Sequence, residues 1–350
     1  SVKAESLLAF NNPAMMLSVY FCIIMVSWMG AELIVGGSLT TGDLTSLFSY
    51  IMSLLMSLMM LSMLIVMITM SLASIRRISE VLRETPDLHD PENPIYEVPN
   101  GDIDFDHVNF SYKHGSGKNA LSDIDLHIKS GETIGVIGGT GSGKSSLVNL
   151  ICRLYDVDSG DVKVGGIDVR AYDMEALRNQ VSVVLQKNTL FTGTILDNLR
   201  WGKQDATLEE CQAACRAACA DEFIDRFPDG YNTRIERGGN NVSGGQKQRL
   251  CIARALLKSP KVLILDDSTS AVDTATDAKI RAAFRETIPG TTKIIIAQRI
   301  SSVQDADRIL VLDDGRIDAF DTHENLLKTN AIYQEIYESQ IKGGGDFDQP

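Results

Sequence analysis

Two long runs of hydrophobic residues occupy the first quarter of the chain. Residues 14–35 contain a single charge, Glu32, and residues 44–75 contain none. Because a helix needs about 20 apolar residues to cross a bilayer, both runs predict membrane-spanning helices, at about 14–35 and 44–72. The second run predicts a helix that extends beyond the membrane. A buried helical hairpin of a soluble protein is the competing interpretation.

The charges that flank these runs predict their orientation. The link at residues 36–43 has no positive charge, whereas Lys3 precedes the first run and Arg76, Arg77 and Arg83 follow the second. Positive charges favour the cytosolic side, so we expect both ends in the cytosol and a multi-pass protein of the cell membrane. Two spans are too few to enclose a pathway, and the chain begins at Ser1 rather than Met. We therefore expect it to be a piece of a longer chain.

After Arg76 the pattern changes to that of a soluble protein. Residues 86–101 include four prolines and predict a linker with little structure. Residues 103–112 and 124–128 alternate like strands, and residues 208–227 predict a helix. Short apolar runs at 133–137, 162–164, 181–186, 261–267, 293–297 and 308–312 predict further strands. This alternation predicts an α/β fold with a mostly parallel sheet.

Charge and cysteine content exclude some classes of function. The 350 residues carry a net charge of −13, which argues against nucleic acid as a partner. The six cysteines suggest no disulfide framework. Cys211, Cys215 and Cys219 are spaced to share one helix face, where either a metal site or burial as small apolar side chains would explain them; we favour burial.

A glycine-rich segment predicts the binding site. Residues 138–145, GGTGSGKS, fit the nucleotide-binding P-loop and lie between a predicted strand and a predicted helix. Backbone N–H groups there would face phosphate, Lys144 would reach the β- and γ-phosphates, and Ser145 would ligate Mg²⁺. The residues expected to bind the nucleotide in this segment are Gly138, Gly139, Thr140, Gly141, Ser142, Gly143, Lys144, Ser145 and Ser146.

A carboxylate at the end of a later strand completes the predicted magnesium site. The apolar residues 262–265 lead directly into Asp266. Such a strand delivers a carboxylate to the Mg²⁺ beside the phosphates in P-loop enzymes. A nucleoside triphosphate and Mg²⁺ are therefore the expected ligands.

Residues 242–246 read VSGGQ and lie between the P-loop and Asp266. In this order of motifs the chain resembles the ATP-binding cassette (ABC) superfamily. The resemblance implies a P-loop α/β domain with a mixed core sheet, an antiparallel β-subdomain and a helical signature subdomain. It also implies that the two preceding spans are the last of an exporter's membrane domain. The implied domains are residues 1–85 (membrane), 86–101 (linker), 102–342 (nucleotide-binding) and 343–350 (flexible tail).

The resemblance also assigns roles to individual residues. Tyr112 resembles the aromatic residue that stacks on adenine, and Gln186 resembles the glutamine that touches Mg²⁺ and the attacking water. Residues 270–273 resemble the D-loop. The signature residues, which in the family contact ATP held by the opposite subunit, are Val242, Ser243, Gly244, Gly245 and Gln246.

Two residues depart from the family pattern. Asp267 stands where the family has a glutamate general base, and its carboxylate is shorter by about 1.5 Å, one C–C bond. Gln298 stands where the family has a histidine, and an amide cannot become a cation. We therefore expect a site that binds ATP firmly but hydrolyses it poorly, as in the degenerate-site subunits of bacterial heterodimeric multidrug exporters.

The resulting expectation is a subunit that couples ATP binding and hydrolysis to the efflux of hydrophobic or drug-like compounds. Its expected partners are membrane lipid and a second half-transporter, in a heterodimer rather than a homodimer. A regulatory ATP-binding subunit with negligible turnover, and a lipid or peptide exporter, remain alternatives.

Overall fold

The structure, a computed structural model, describes residues 2–113, 117–267 and 272–344. The chain divides between Asp87 and Leu88 into two units. The first unit is a helical hairpin of α1 (Val2–Val35) and α2 (Thr41–Arg83). Within these described residues, two segments are long and apolar enough to cross a membrane by length and composition: Pro13–Val35 and Thr41–Arg83.

The hairpin is built from local capping and one close helix contact. The Thr40 side chain accepts the Asp43 N–H at 3.2 Å, and Asp43 Oδ2 accepts the Thr40 N–H at 3.1 Å, so α2 begins at a capping box. Gly30 of α1 is buried, and a Cβ there would lie 2.4 Å from Leu44 Cδ1. Gly30 therefore allows α1 to approach the first turn of α2.

The second unit is an α/β domain with three sheets. Its strands are β1 (Ile103–Phe110), β2 (Leu121–Ile128), β3 (Thr133–Gly138), β4 (Ser159–Val164), β5 (Ile167–Asp168), β6 (Val181–Val184), β7 (Gly193–Thr194), β8 (Arg234–Ile235), β9 (Val262–Asp266), β10 (Thr292–Ile296), β11 (Arg308–Asp313) and β12 (Arg316–Asp321). Its helices are α3 (Lys144–Ile151), α4 (Met174–Gln180), α5 (Ile195–Arg200), α6 (Leu208–Ala217), α7 (Asp221–Ile224), α8 (Gly244–Leu256), α9 (Thr274–Thr287), α10 (His323–Thr329) and α11 (Ala331–Gly344).

The largest sheet is mixed, in the order β12-β11-β3-β10-β9-β6. The five strands from β11 to β6 are parallel, and β12 pairs antiparallel to β11 at the edge. A four-stranded antiparallel sheet, β2-β1-β4-β5, packs against it through one apolar core, and α5, α6 and α8 share a second core with the other face. The expected mixed sheet, antiparallel β-subdomain and helical subdomain are thus confirmed.

Residues 88–101, within the predicted linker, belong to the second unit and pack against its core. Ile95 forms a bridge with Tyr172, Val98 is buried in the apolar core, and the Arg153 guanidinium donates to the His89 carbonyl at 3.0 Å. The prolines limit regular structure but do not prevent burial of the apolar residues between them.

The helix predicted for residues 208–227 is broken into α6 and α7. Cys219 lies between them with φ +52°, so the expectation that it shares a helix face with Cys211 and Cys215 was wrong. All three are buried. At the chain end, α11 continues to Gly344, two residues into the predicted tail. Residues 345–350, and residues 270 and 271 of the predicted D-loop, lie outside the described residues.

Candidate functional site

Four parallel strands bring the predicted site residues to one edge of the large sheet. β3, β10, β9 and β6 are neighbours, and the carboxyl ends of parallel strands meet at the same edge. The P-loop follows β3, Gln298 follows β10, and Gln186 follows β6. Asp266 ends β9, and Asp267 comes directly after it. The sequence separated these residues by more than 150 positions, and the topology assembles them.

The P-loop is open on the side where phosphate would bind. Cβ atoms added to Gly139 or Gly141 would meet nothing within 4 Å. Gly141 and Gly143 have φ values of +83° and +99°, which glycine adopts without strain. Gly143 caps α3 without any side-chain hydrogen bond, so the first-turn N–H groups remain available to an anion.

Lys144 lies across the loop. Its ammonium donates to the carbonyls of Gly138 at 2.8 Å and Gly139 at 2.7 Å. Burial lowers the pKa of Lys144, and the nearby carboxylates of Asp266 and Asp267 oppose that shift. The ammonium is therefore a cation held at the mouth of the loop, as phosphate binding requires.

Asp266 and Ser145 offer oxygen ligands beside the loop. Burial, and then the neighbouring Asp267, raise the pKa of Asp266, while Lys144 and a hydrogen bond with Ser145 lower it. Two half-buried carboxylates next to each other favour a bound cation, and Mg²⁺ takes carboxylate and hydroxyl oxygens as ligands. The residues present therefore fit a magnesium-bound nucleotide.

Asp267 is held by both glutamines of the site. Its Oδ2 accepts hydrogen bonds from Gln186 Nε2 and from Gln298 Nε2, each at 3.1 Å. Its backbone has φ +45°, and its N–H donates to the Ile296 carbonyl at 2.9 Å. Burial raises the pKa of Asp267, and the Gln186 hydrogen bond opposes this. The carboxylate at the expected general-base position is thus engaged by two amide donors.

Tyr112 lies next to the first turn of α3. Its hydroxyl is 2.9 Å from Ser146 Oγ, and its ring meets Phe110 and Tyr155 edge-on. The residue is 52% exposed, so part of the ring is free to stack on a planar ligand beside the P-loop.

The signature lies apart from these residues. Ser243 caps α8, its Oγ accepting the Gln246 N–H at 3.2 Å while Gln246 Oε1 accepts the Ser243 N–H at 2.9 Å. Ser243 and Gly244 are exposed. In the part of the chain that the structure describes, residues 242–246 form no recorded hydrogen bond with the P-loop or with Asp266. The signature therefore offers an exposed helix start to another molecule.

Sequence reasoning missed one neighbour of the P-loop. The turn between β11 and β12 reaches it: the Gly315 N–H donates to the Ser142 carbonyl at 3.2 Å. The signal was present, because Asp314-Gly315 between two strands is the preferred dipeptide of a two-residue hairpin. Nothing in the sequence indicated that this hairpin lies against the P-loop.

This assembly of P-loop, strand-end carboxylates and open helix start defines a P-loop nucleotide-binding protein. Comparison with known proteins is more specific: residues 121–270 match the family model described as ABC transporter. The chain carries the ATP-binding domain of the ABC transporter family.

Alignments with similar proteins cover more of the chain than the family model does, including the helical hairpin. The chain is 41% identical over 341 residues to an uncharacterised ABC transporter ATP-binding protein of Bacillus subtilis, covering 97% of this chain and 59% of that protein. It is 40% identical over 308 residues to a putative multidrug export ATP-binding/permease protein of the same species, covering 88% and 53%. A fatty acid ABC transporter ATP-binding/permease protein of Mycobacterium bovis is 36% identical over 315 residues, with 89% and 49% covered.

A solved structure among those similar to this chain covers residues of both units. A bacterial Atm1-family ABC exporter with ATP bound superposes with a TM-score of 0.85 at 32% identity, covering 97% of this chain and 60% of that one. The chain thus spans about three fifths of the length of that exporter and of the first curated relative. Its homologues include ABC exporters.

Proposed function

We propose that this chain is part of the ATP-binding/permease subunit of an ABC exporter in the cell membrane, with the nucleotide-binding domain in the cytoplasm. One observation carries the proposal: Lys144, the open P-loop and Asp266 meet at one sheet edge, in a chain that also holds two long apolar helices. Residues 1–85 would belong to the membrane domain, residues 86–101 to the connection and residues 102–342 to the cassette.

ATP would bind against the P-loop, with Tyr112 stacked on its base. The N–H groups of residues 139–146 would orient the phosphates, and the Lys144 ammonium would leave the loop carbonyls for phosphate oxygens. Ser145, Gln186 and Asp266 would hold Mg²⁺, which supplies charge neutralisation and polarisation of the phosphates when bound.

The site would hydrolyse ATP slowly. A general base needs its carboxylate within hydrogen-bond reach of the attacking water. Asp267 is one C–C bond shorter than glutamate, and both Gln186 and Gln298 already donate to its Oδ2. A misplacement near 1 Å can cost on the order of 100-fold in rate. These features support a site whose main role is binding.

The intact signature supports a working site shared with a partner. An exposed helix N-terminus with a capping serine and glycines suits the γ-phosphate of a nucleotide held by another subunit. We propose a heterodimer in which residues 242–246 complete the partner's site, where most hydrolysis would occur. ATP would bring the cassettes together, and hydrolysis would separate them.

The substrate would be a hydrophobic or drug-like compound that partitions into the membrane. The relative named as a putative multidrug exporter favours this choice. The relative named as a fatty acid transporter favours a second candidate, a lipid exporter.

The test is ATP hydrolysis by the full-length chain alone and with its partner subunit. We expect low turnover alone and exporter-like turnover in the heterodimer. Lys144→Ala should reduce the heterodimer's rate clearly less than the same change in the partner's P-loop. Fast hydrolysis by the chain alone would refute the degenerate site, and equal effects of the two lysine changes would refute the division of labour.

A further inference from the structure

The hairpin turn between β11 and β12 has a backbone suited to close approach. Asp313 pairs with Arg316, and between them Asp314 and Gly315 have φ values of +42° and +77°. Two consecutive positive φ values describe a tight two-residue hairpin. Such a turn brings two backbone peptide groups, rather than side chains, to its tip.

This tip is wedged between the P-loop and the start of β2. The Gly315 N–H donates to the Ser142 carbonyl at 3.2 Å, and the Gly315 carbonyl accepts the Ser122 N–H at 2.8 Å. A Cβ on Gly315 would lie 2.7 Å from the Ala120 carbonyl oxygen, below any ordinary contact distance. The packing leaves no room for a side chain at Gly315.

Gly143, the N-cap of α3, lies in ordinary contact with this tip, and the start of β2 leaves no room for a side chain there. A Cβ on Gly143 would lie 3.6 Å from Gly315 Cα and 2.9 Å from the Ala120 carbonyl oxygen. Because its hydrogen bond with Gly315 holds the Ser142 carbonyl at the hairpin, that carbonyl is kept from turning toward the phosphates. An ion pair between Lys118 and Asp314 joins the turn to the segment between Tyr112 and β2.

We infer that Gly315 is a positioning residue of the nucleotide site. It does not touch the nucleotide; its hydrogen bond holds the Ser142 carbonyl so that the P-loop N–H groups converge on phosphate. The inference rests on the proposed ATP site. Position 315 requires a residue without a side chain, because its φ is +77° and an added Cβ would clash. The backbone N–H of this residue donates one hydrogen bond to the P-loop.

The test measures MgATP affinity by calorimetry with the full-length chain in detergent. Gly315→Ala and Gly315→Asn both add the clashing Cβ, and asparagine tolerates positive φ. The matched control is Gly166→Ala, because Gly166 has φ +76° with nothing within 4 Å of an added Cβ. It reproduces the backbone strain without the contact.

We expect both Gly315 variants to raise the MgATP Kd on the order of tenfold relative to Gly166→Ala, the scale of misdirected hydrogen bonds to a charged group. The unfolding temperature without nucleotide should fall in all three. If the Gly315 variants bind MgATP as Gly166→Ala does, the inference is wrong. If the unaltered chain binds no MgATP, the proposed function itself fails.

If the Gly315 variants fail to fold, hydrogen–deuterium exchange of the unaltered chain tests the same inference. MgATP should slow exchange of the Gly315 amide, because binding fixes the Ser142 carbonyl that accepts its hydrogen bond. An unchanged exchange rate at Gly315 in the presence of bound MgATP would overturn the inference.

Discussion

The Asp267 carboxylate receives two amide donors on one oxygen, and this contact governs the chemistry we expect at the site. Gln186 and Gln298 come from the ends of different strands, β6 and β10, and converge from both sides of β9. An amide donates but does not take up a proton in the working pH range. A substitution at Asp267 alone therefore leaves Gln298, which cannot become a cation, in place of the family's histidine.

We predict that Asp267→Glu together with Gln298→His increases the rate of ATP hydrolysis at this site by roughly 10- to 100-fold. Hydrolysis needs both a carboxylate long enough to contact the attacking water and a histidine that can carry a proton. Each single change should give less than a tenth of that gain. Phosphate release is measured in heterodimers whose partner P-loop has lost its lysine. The control is Asp267→Asn, which should give no gain. A double variant that hydrolyses ATP no faster than the unaltered chain would contradict the prediction.

The motif residues could be predicted because each motif is local. The P-loop, the strand ending in Asp266 and the signature are short segments whose residue types state their chemistry. The convergence of Gln186 and Gln298 on Asp267, and the positive φ of Asp267, depend on which strands are neighbours. One sequence does not state strand order, so these features required the structure.

At the scale of elements, helix starts combine structural and binding roles. The capping box of Ser243 and Gln246 satisfies donors at the start of α8, and the same helix start is proposed to serve a partner's nucleotide. Helix α6 begins with an equivalent capping box, in which Thr207 accepts the Glu210 N–H at 3.2 Å. Thr207 therefore serves as a control for Ser243, because both side chains cap a helix in the same way.

We predict that Ser243→Ala and Thr207→Ala each lower the free energy of unfolding by about 1 kcal/mol, the usual contribution of a capping side chain. Chemical denaturation of the full-length chain measures this loss. Only Ser243→Ala should also lower heterodimer ATP turnover, because only α8 carries the signature. Equal turnover in the two variants would argue against a role of Ser243 beyond capping.

Element boundaries were less predictable than element types. The five parallel strands of the large sheet were anticipated from apolar runs, whereas the two-residue strands β5, β7 and β8 were not. The break between α6 and α7 was not anticipated either, because CQAACRAAC is compatible with a continuous helix. The break places Cys219 at φ +52° while keeping it buried. Strand β12 was also missed, since its sequence RIDAFD alternates weakly and its edge position buries little of it.

At the scale of the whole molecule, the charge pattern predicts an orientation that labelling can test. We predict that Ser38→Cys, in the link between α1 and α2, reacts with a membrane-impermeant maleimide added to intact cells, because the positive residues lie at the other ends of the helices. Asp87→Cys is the matched control and should react only after permeabilisation. Labelling of Asp87→Cys in intact cells, with Ser38→Cys protected, would show the opposite orientation.

Because residues 88–101 pack against the core, the nucleotide-binding unit begins at Leu88, before its first strand. The motifs and the regular strands start at Ile103, but the bridge from Ile95 to Tyr172 and the burial of Val98 belong to the same core. A fragment cut at Asp102 would lose these contacts and expose the apolar surface that they cover. A fragment that keeps these contacts, for expression or for exchange between homologues, therefore begins at Leu88.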